Sequence, residues 1–252
     1  MRFVRFLSGG VAKHGIVEGD LVYEIQGSIY ETYSLSKRNS RLGEVKILPP
    51  SEPSKIVAVG LNYRDHAEEV EKKLPEEPMI FLKPTTSTVA HGDAIIYPKC
   101  SNRLDYEAEL ALVIKRKIKN IGKDDVRDVI LGYTCFNDVT ARDIQSRPGQ
   151  FTRSKAFDTF SPMGPFVVTD IDPSSLDIRS LLNGELRQSS NTRHLIFSVP
   201  HLVNFISEVM TLLPGDVIAT GTPSGIGPMN AGDQIEIVIE GIGTLRNYVL
   251  AE

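Results

Sequence analysis

The sequence lacks tryptophan and contains only two cysteines, Cys100 and Cys135, among its 252 residues. These cysteines show no C-x-x-C spacing and have no histidine cluster near them. A zinc site or a disulfide framework is therefore disfavoured, and we expect both cysteines to be ordinary core residues.

The sequence also lacks an excess of positive charge and a long hydrophobic run. Its net charge is −4 and its lysines and arginines are scattered, so it predicts no binding to nucleic acid or to an anionic membrane. No apolar run approaches the ~20 residues of a membrane span, and the opening MRFVRFLSGG lacks the hydrophobic region of a signal peptide. A chain with 41% hydrophobic and 24% charged residues can bury a sizeable core. We therefore expect a cytoplasmic globular protein.

A proline-rich segment divides the chain into two predicted regions. Residues 1–48 alternate short β-like runs with turns, and the prolines of EVKILPPSEPSK indicate a junction near residues 46–55. We predict a small N-terminal β domain at residues 1–50 and a larger domain at residues 51–252. In the larger domain, predicted strands outnumber helices and do not alternate regularly with them, which indicates a β-rich α+β fold.

Helices are predicted in three segments, of which DVTARDIQ is expected to form only a turn or two. The segment VPHLVNFISEVMTLL follows Ser198, an N-cap candidate, and predicts the longer helix. The segment NYRDHAEEVEKK predicts a shorter helix with Asn62 as a possible N-cap.

The stretch LDYEAELALVI, residues 104–114, predicts one β-strand with an unusual second face. Its first face is apolar throughout, whereas the second carries Asp105, Glu107 and Glu109 before it turns apolar at Ala111. Same-face neighbours on a strand lie about 6.5 to 7 Å apart, which is two rises of about 3.3 Å. Like charges at that distance in a poorly solvated place raise one another's pKa and weaken the fold.

If Glu107 and Glu109 face inward, either a positive charge lies between them or one of them is protonated. A divalent cation is the simplest source of that positive charge. Asp138 in FNDVTARD is the next candidate ligand, because it lies where an apolar strand stops and a helical turn begins. Three carboxylates with water form an all-oxygen shell, which suits Mg²⁺, Mn²⁺ or Ca²⁺ and argues against zinc or copper. Mg²⁺ fits best, since it keeps water molecules that a substrate can displace.

Each of these acids also has an ordinary structural explanation. Glu107 and Glu109 could line the solvated face of an edge strand, and Asp138 could only cap a helix. The continuation of the strand into ALVI, which is apolar on both faces, argues against an edge.

A set of ordered blocks resembles the fumarylacetoacetate hydrolase family: GLNYRDHAEE, FLKPTTS, LDYEAELALVI, GYTCFNDVTARDIQ, SKAFDTFSPMGPF and LLPGDVIATGTPSGIG. The resemblance spans residues 55–245 and points to the smaller members, which act on acylpyruvates, oxaloacetate or hydroxymuconate-type dioates. It implies a mixed β-sandwich or roll with few short helices, and a homodimer. It also implies Mg²⁺ or Mn²⁺ bound by Glu107, Glu109 and Asp138.

The resemblance further implies catalytic roles for His66, Glu69 and Lys155. His66 and Glu69 lie three residues apart, on one face of a short and mobile helix in that family, where Glu69 could orient His66 as a general base. Lys155 in SKAFD matches an active-site lysine that would neutralise the charge of an enolate. Without the resemblance, His66 is an exposed histidine on a polar helix and Lys155 is one lysine among many.

Three substrate-binding residues follow from the same resemblance. Gln145 matches a substrate-binding glutamine, and Thr222 in TGTPSG matches a hydroxyl that contacts the substrate carboxylate. Arg142 is a candidate partner of the substrate or of the metal site, or a surface charge. Residues 221–225 are also consistent with a simple tight turn. Leu61 stands where several relatives carry a basic residue, which removes one possible contact to an anionic substrate.

These observations predict a metal-dependent enzyme that acts on α-keto, 2,4-diketo or 2-hydroxymuconate-type acids through a metal-stabilised enolate. One electron sink would serve C–C bond hydrolysis, decarboxylation or keto–enol isomerisation.

Two alternative functions stay open. An inverting glycosidase would place two carboxylates about 6.5 to 9.5 Å apart, although this chain offers few aromatic rings to stack on sugars. A non-catalytic Ca²⁺-binding β-domain would use the ion only to join strands.

Overall fold

The computed structural model describes residues 1–252 and is dominated by β-strands. The strands are, in chain order, β1 (Arg2–Ser8), β2 (Val11–Glu18), β3 (Leu21–Gly27), β4 (Tyr33–Arg41), β5 (Ile47–Leu48), β6 (Ile56–Gly60), β7 (Met79–Lys83), β8 (Thr88–Val89), β9 (Ala94–Tyr97), β10 (Leu104–Tyr106), β11 (Ala108–Ile114), β12 (Ile130–Asn137), β13 (Thr140–Ala141), β14 (Ser161–Val168), β15 (Asp177–Leu182), β16 (Glu185–Asn191), β17 (Val217–Ala219), β18 (Gly227–Met229), β19 (Gln234–Ile239) and β20 (Gly243–Ala251). The α-helices are α1 (Arg64–Glu69), α2 (Arg142–Gln145), α3 (Phe151–Lys155) and α4 (Val199–Val209). Short 3₁₀ helices occupy Leu42–Glu44, Thr85–Ser87, Lys123–Val129 and Thr192–His194. The β-rich α+β prediction is therefore confirmed.

The strands form three sheets. The largest has the strand order β4-β3-β2-β1-β14-β12-β11-β17-β6-β7, with β5 beside β1 and β8 beside β14. A second sheet has the order β16-β15-β19-β20-β9, and a small third sheet has the order β13-β10-β18. The β11 strand lies inside the largest sheet, between β12 and β17.

The N-terminal strands belong to the largest sheet. Arg2 and Phe3 of β1 pair with Val168 and Val167 of β14, so residues 1–50 extend the same sheet as later residues. The division into two domains at residue 50 stays a prediction. The expectation that both cysteines lie in the core is wrong for one of them, since Cys135 is buried but Cys100 is exposed.

Apolar side chains fill both faces of β11. Leu110 and Leu112 belong to the larger core cluster, which also includes side chains of β15, β19 and β20, whereas Ala111 and Val113 belong to a smaller cluster on the opposite face. Fully burying a leucine or valine side chain contributes about 1.5 to 3 kcal/mol. The predicted double-sided burial is confirmed, so the residues at the N-terminal end of β11 lie on a strand that is packed on both faces.

The longest helix follows the predicted pattern over most of its length. Ser198 is the N-cap residue of α4, and Leu202 and Ile206 are fully buried in the larger core cluster. The helix ends at Val209, so Leu213 lies beyond it and is partly exposed. No helix in this fold combines the length and the apolar character needed to cross a membrane.

Candidate active site

The predicted carboxylate strand is interrupted at Glu107. Residues on either side of Glu107 belong to different sheets, because β10 pairs with β13 and β18 while β11 pairs with β12 and β17. The backbone N–H of Glu107 donates to Oδ1 of Asn137 at 2.9 Å, and the N–H of Asp138 donates to the carbonyl of Glu107 at 2.9 Å. The expectation of a single strand is wrong, and the break places Glu107 directly beside Asp138.

Three acidic residues converge at this break. One carboxylate oxygen from each of Glu107, Glu109 and Asp138 lies within 4.8 Å of the other two, and all three residues are buried. The edge-strand explanation is wrong, because β11 has a paired strand on each side. Asp138 is not a helix cap either, since the next helix begins at Arg142 with Ala141 in the N-cap position.

Cationic side chains surround two of these acids. Lys155 Nζ donates to Glu107 Oε2 at 2.9 Å and to Asp138 Oδ2 at 2.5 Å. Lys83 forms a buried ion pair with Asp138, and the half-buried Arg142 forms an ion pair with Glu107. Sequence reasoning missed Lys83, and the only available signal was one charge at the end of the apolar strand MIFLK. The carboxylates of Glu107 and Asp138 are thus each paired with cationic side chains, because an unpaired buried charge is costly.

Glu109 differs from its two neighbours because it has no cationic partner. The backbone N–H of Gly221 donates to its Oε2 atom at 2.9 Å, and this is its one side-chain hydrogen bond. Burial, followed by the charges of Asp138 and Glu107, raises the pKa of Glu109 well above its ordinary value. The protein places no cationic side chain in contact with the Glu109 carboxyl group.

The other ionisable groups respond to the same surroundings. Burial alone would raise the pKa of Glu107, but Lys155 and Arg142 outweigh it and lower the pKa to about 2. Burial acts against the charged form of Lys155 as well, but Asp138 and Glu107 outweigh it and raise its pKa. Burial dominates at Lys83, whose pKa is lowered.

The donor set of this site fits a hard divalent cation. Glu107, Glu109 and Asp138 offer only oxygen, without a nitrogen or sulfur ligand among them. The unpaired charge of Glu109 is the observation that a bound cation would explain. These three residues would therefore hold the ion, as the sequence predicts.

The predicted histidine–glutamate pair lies on α1, with Glu69 as the last residue of the helix. His66 Nδ1 and Glu69 Oε2 are hydrogen-bonded at 2.8 Å, and Glu69 Oε1 accepts from the backbone N–H of Gly225 at 2.9 Å. Gly221, at the other end of the same loop, contacts Glu109. The loop 221–225 therefore connects the pair to the acidic cluster.

The helix that carries this pair begins later than predicted. Tyr63 is the N-cap residue of α1, so the expectation that Asn62 caps the helix is wrong. Asn62 Nδ2 instead donates to the carbonyls of Phe197, at 3.1 Å, and Thr220, at 2.8 Å. Asn62 thereby fixes the start of α1 against the strand that leads into the loop 221–225.

The predicted substrate-binding residues lie around the cluster. Arg142 is not a surface charge, because it contacts Glu107, donates from Nε to Asp105 Oδ2 at 2.9 Å and contacts Gln145 Oε1 at 2.5 Å. The oxygen of Gln145 is thus occupied, which leaves its NH₂ group as the free donor. Thr222 is buried immediately after Gly221 and accepts a hydrogen bond from another side chain, Gln188 Nε2, at 2.9 Å.

Two further residues of the site were missed from the sequence. Asp105 is fully buried and accepts from Arg103 as well as from Arg142. Thr140 Oγ1 donates to Glu107 Oε1 at 3.0 Å. The carboxylate of Asp105 was visible in the pattern of alternating acids, but nothing in that pattern separated its role from that of the other two.

Comparison with known proteins assigns this chain to a family. A family model described as fumarylacetoacetate (FAA) hydrolase, C-terminal, matches residues 55–250. This chain belongs to the fumarylacetoacetate hydrolase family. A second model, described as Rv2993c-like, N-terminal, matches residues 1–50.

Relatives within the fumarylacetoacetate hydrolase family include named enzymes. The oxaloacetate tautomerase YisK of Bacillus subtilis (strain 168) is 45% identical over 223 residues, which cover 82% of this chain and 74% of that protein. The structure of 5-carboxymethyl-2-hydroxymuconate delta-isomerase from Mycobacterium smegmatis has a TM-score of 0.94 and 42% identity, with 100% of both chains covered. The structure of maleylpyruvate hydrolase from Sphingobium sp. SYK-6 in complex with manganese (II) ion and pyruvate has a TM-score of 0.83 and 30% identity, covering 100% of this chain and 99% of that chain. The chain is therefore an enzyme of the fumarylacetoacetate hydrolase family.

The two alternatives raised by the sequence are wrong. A non-catalytic Ca²⁺-binding domain is excluded because the chain is an enzyme of this family. An inverting glycosidase needs its two carboxyl groups about 6.5 to 9.5 Å apart to admit a water molecule. Carboxylate oxygens of the acidic cluster lie within 4.8 Å of one another, which is too close for that geometry.

Proposed function

We propose that this protein is a Mg²⁺- or Mn²⁺-dependent enzyme that moves protons within α-keto acids through an enolate, as a tautomerase or isomerase. The buried cluster of Glu107, Glu109 and Asp138, with Lys155 bridging two of its members, is the observation that carries the proposal. The names of two relatives, an oxaloacetate tautomerase and a hydroxymuconate isomerase, support this reaction class. Ca²⁺ is a third candidate ion, because its ligands are also oxygen atoms.

The proposed roles divide between charge stabilisation and binding. When bound, the dication supplies a Lewis acid for the 1-carboxylate and 2-oxo group of the substrate. Lys155 is buried and charged beside Glu107 and Asp138, so its ammonium group balances the negative charge of an enolate. The free NH₂ group of Gln145 and the hydroxyl of Thr222 donate to the substrate's oxygen atoms.

The His66–Glu69 pair transfers the proton in this proposal. Glu69 holds Nδ1 of His66 at 2.8 Å, so Nε2 is the nitrogen that remains free to exchange a proton. Nε2 removes a proton from the carbon next to the 2-oxo group and returns it to the enolate oxygen or to a more distant carbon. Return of the proton to the enolate oxygen gives keto–enol tautomerisation, and return to a more distant carbon gives isomerisation.

C–C bond hydrolysis is the second candidate function. The His66–Glu69 hydrogen bond favours it specifically, because the same base can activate a water molecule for attack on the distal carbonyl of a 2,4-diketo acid. The structural similarity to a maleylpyruvate hydrolase also supports it. Decarboxylation of oxaloacetate would need only the electron sink and no base.

A substrate panel separates these possibilities. We would measure tautomerisation and decarboxylation of oxaloacetate, and cleavage of an acylpyruvate, with Mg²⁺, with Mn²⁺ and with EDTA. Glu109→Ala is expected to lose all turnover, whereas His66→Ala is expected to lose proton transfer and hydrolysis but to keep decarboxylation. Glu68→Ala is the matched control, because Glu68 is exposed on the same helix. Full tautomerase activity in EDTA or in Glu109→Ala would rule out the proposal.

The proposal includes the homodimer that the family resemblance implies and the cytoplasmic location that the sequence predicts. Sedimentation velocity at several protein concentrations tests the first, and fractionation of cells that express the tagged protein tests the second. A monomer at every concentration would remove the homodimer from the proposal.

A further inference from the structure

Gln188 on β16 is a fully buried side chain that joins two parts of the site. Its Oε1 atom accepts a hydrogen bond at 3.0 Å from the backbone N–H of Ala108, which lies between Glu107 and Glu109 in the chain. Its Nε2 atom donates to Thr222 Oγ1 at 2.9 Å and to a backbone carbonyl, that of Pro223, also at 2.9 Å. One amide therefore links the strand that carries the acids to the loop that carries Thr222.

The orientation of this amide is fixed by its partners. The N–H of Ala108 can only donate, so it requires the oxygen of Gln188. The carbonyl of Pro223 can only accept, so it requires the nitrogen. A flipped amide would leave both backbone groups buried and unpaired, which costs about 1 to 3 kcal/mol for each group.

The fixed amide determines what the Thr222 hydroxyl can do. A hydroxyl has one proton and two lone pairs, and Gln188 Nε2 occupies a lone pair because an amide nitrogen only donates. No acceptor in the protein takes the proton of this hydroxyl, since Oγ1 of Thr222 forms its one hydrogen bond with Gln188. The residue is 5% exposed and follows Gly221, which contacts Glu109. The hydroxyl is thus committed as a donor beside the acidic cluster.

We propose that Gln188 is a positioning residue that makes the Thr222 hydroxyl a donor to a carboxylate of the substrate. This inference rests on the proposed function, which supplies the anionic substrate. Without the amide, the carbonyl of Pro223 has no donor, and the nearby Thr222 hydroxyl is the group that can turn to satisfy it. The donor to the substrate would then be lost although Thr222 itself is unchanged.

The test compares Gln188→Met, Thr222→Val and the double variant. The measurements are KM and kcat for the best substrate of the panel, and the dissociation constant of oxalate with Mg²⁺ by calorimetry. Each single variant is expected to weaken oxalate binding and raise KM by about tenfold, the lower end for a hydrogen bond to a charged group. The double variant is expected to be no worse than Thr222→Val, because both changes remove the same donor.

A control variant on the same strand separates positioning from stability. Asn191 is buried on β16 and bonds Asp177 at 2.9 Å. Asn191→Ala should lower the free energy of unfolding while KM and oxalate affinity stay at wild-type values. A purely structural Gln188 would instead give effects that add to those of Thr222→Val, and it would change the active fraction, hence kcat, more than KM.

A second variant keeps the test decisive if Gln188→Met does not fold. Gln188→Glu retains an oxygen for Ala108 but replaces the donor by an acceptor, so the Thr222 hydroxyl would point at the new carboxylate. Its KM should rise by more than tenfold relative to wild type at a pH high enough to ionise the new carboxyl group, since the anionic substrate then also meets an added negative charge. Wild-type KM in Thr222→Val, in Gln188→Met, or in Gln188→Glu at that pH overturns the inference and leaves the proposed function intact. Absence of oxalate binding by the wild-type protein with Mg²⁺ overturns both.

Discussion

The backbone N–H of Gly221 donates to Oε2 of Glu109 at 2.9 Å, across 112 residues of the chain. Gly221 has a φ of +98°, a conformation that side chains with a Cβ rarely adopt. A Cβ at this position would lie 2.8 Å from Cβ of Asn62, which is held in place by hydrogen bonds on either side. The glycine therefore lets the loop approach both the start of α1 and the acidic cluster.

Gly221→Ala is predicted to lower both stability and metal affinity. The strained φ costs about 1 to 2 kcal/mol, and the collision with Asn62 adds to it. Gly232→Ala is the matched control, because its φ of +97° is similar but nothing lies within 4 Å of the added Cβ. Urea unfolding of both variants should show a larger loss for Gly221→Ala, and only this variant should bind Mn²⁺ more weakly in calorimetry. Equal losses and unchanged Mn²⁺ affinity would contradict the role assigned to this N–H group.

Glu107→Gln and Glu109→Gln are predicted to change the stability of the metal-free protein in opposite directions. Glu107 is paired with Lys155 and Arg142, so its loss should cost about 3 kcal/mol, as for one partner of a buried ion pair. Glu109 has like charges as neighbours, so neutralising it should stabilise by about 1 kcal/mol, roughly the equivalent of one pKa unit.

The pH dependence of these two residues follows from the signs of their pKa shifts. The raised pKa of Glu109 means that its contribution to stability is lost as pH rises, so Glu109→Gln gains most at neutral pH and above. The lowered pKa of Glu107 means that its contribution persists above its ordinary pKa and is lost as pH falls toward about 2. Urea unfolding in EDTA measures both, and a gain in stability for Glu107→Gln would refute the assigned pairing.

Lys83→Met is predicted to tighten the binding of Mn²⁺ while it weakens the metal-free fold. Lys83 is buried against Asp138, where a positive charge competes with a cation for the same carboxylate. Its removal should lower the dissociation constant of Mn²⁺ by at least about tenfold, since like charges a few ångströms apart repel by several kcal/mol even at an effective dielectric constant of about 20. The metal-free protein should lose about 3 kcal/mol, because Asp138 loses one partner of a buried pair. Lys13→Met, whose lysine pairs with Glu24 in the N-terminal strands, is the control and should leave Mn²⁺ affinity unchanged.

His14 is predicted to make the fold less stable below neutral pH. Burial, followed by the charge of Arg5, lowers its pKa, and Arg5 is its cross-strand partner. The unfolded chain therefore binds a proton more readily than the folded one, so stability falls as pH drops below about 6.5, the ordinary pKa of histidine. Urea unfolding at pH 7.5 and pH 5.5 should show a smaller decrease for His14→Gln than for wild type. Equal decreases would mean that carboxylates alone account for the pH effect.

Charge on alternate residues of an apolar strand is costly without a partner, and this pattern was sufficient to single out Glu107 and Glu109. Asp138 was predicted instead from its place at the end of another apolar strand. The break at Glu107 could not be predicted, since it depends on a side chain, Asn137, that is 30 residues away and satisfies the backbone there. The roles of Lys83 and Gln188 could not be predicted from the sequence for a similar reason. Each is a single polar residue in an ordinary strand, and its role comes only from partners 55 and 34 residues away in the chain.

The two strands that flank β11, β12 and β17, are far apart in the chain, so one is synthesised well before the other. Glu107, Glu109 and Asp138 precede β17 and the loop at Gly221 in the chain, so they are synthesised before the segments that complete their surroundings. The pairing of β11 with β12 already brings Glu107 and Asp138 together, whereas Glu109 gains its hydrogen bond only when the loop at Gly221 joins them. In the proposed enzyme, the full set of contacts around the ion therefore exists only after the loop at Gly221 has folded onto Glu109.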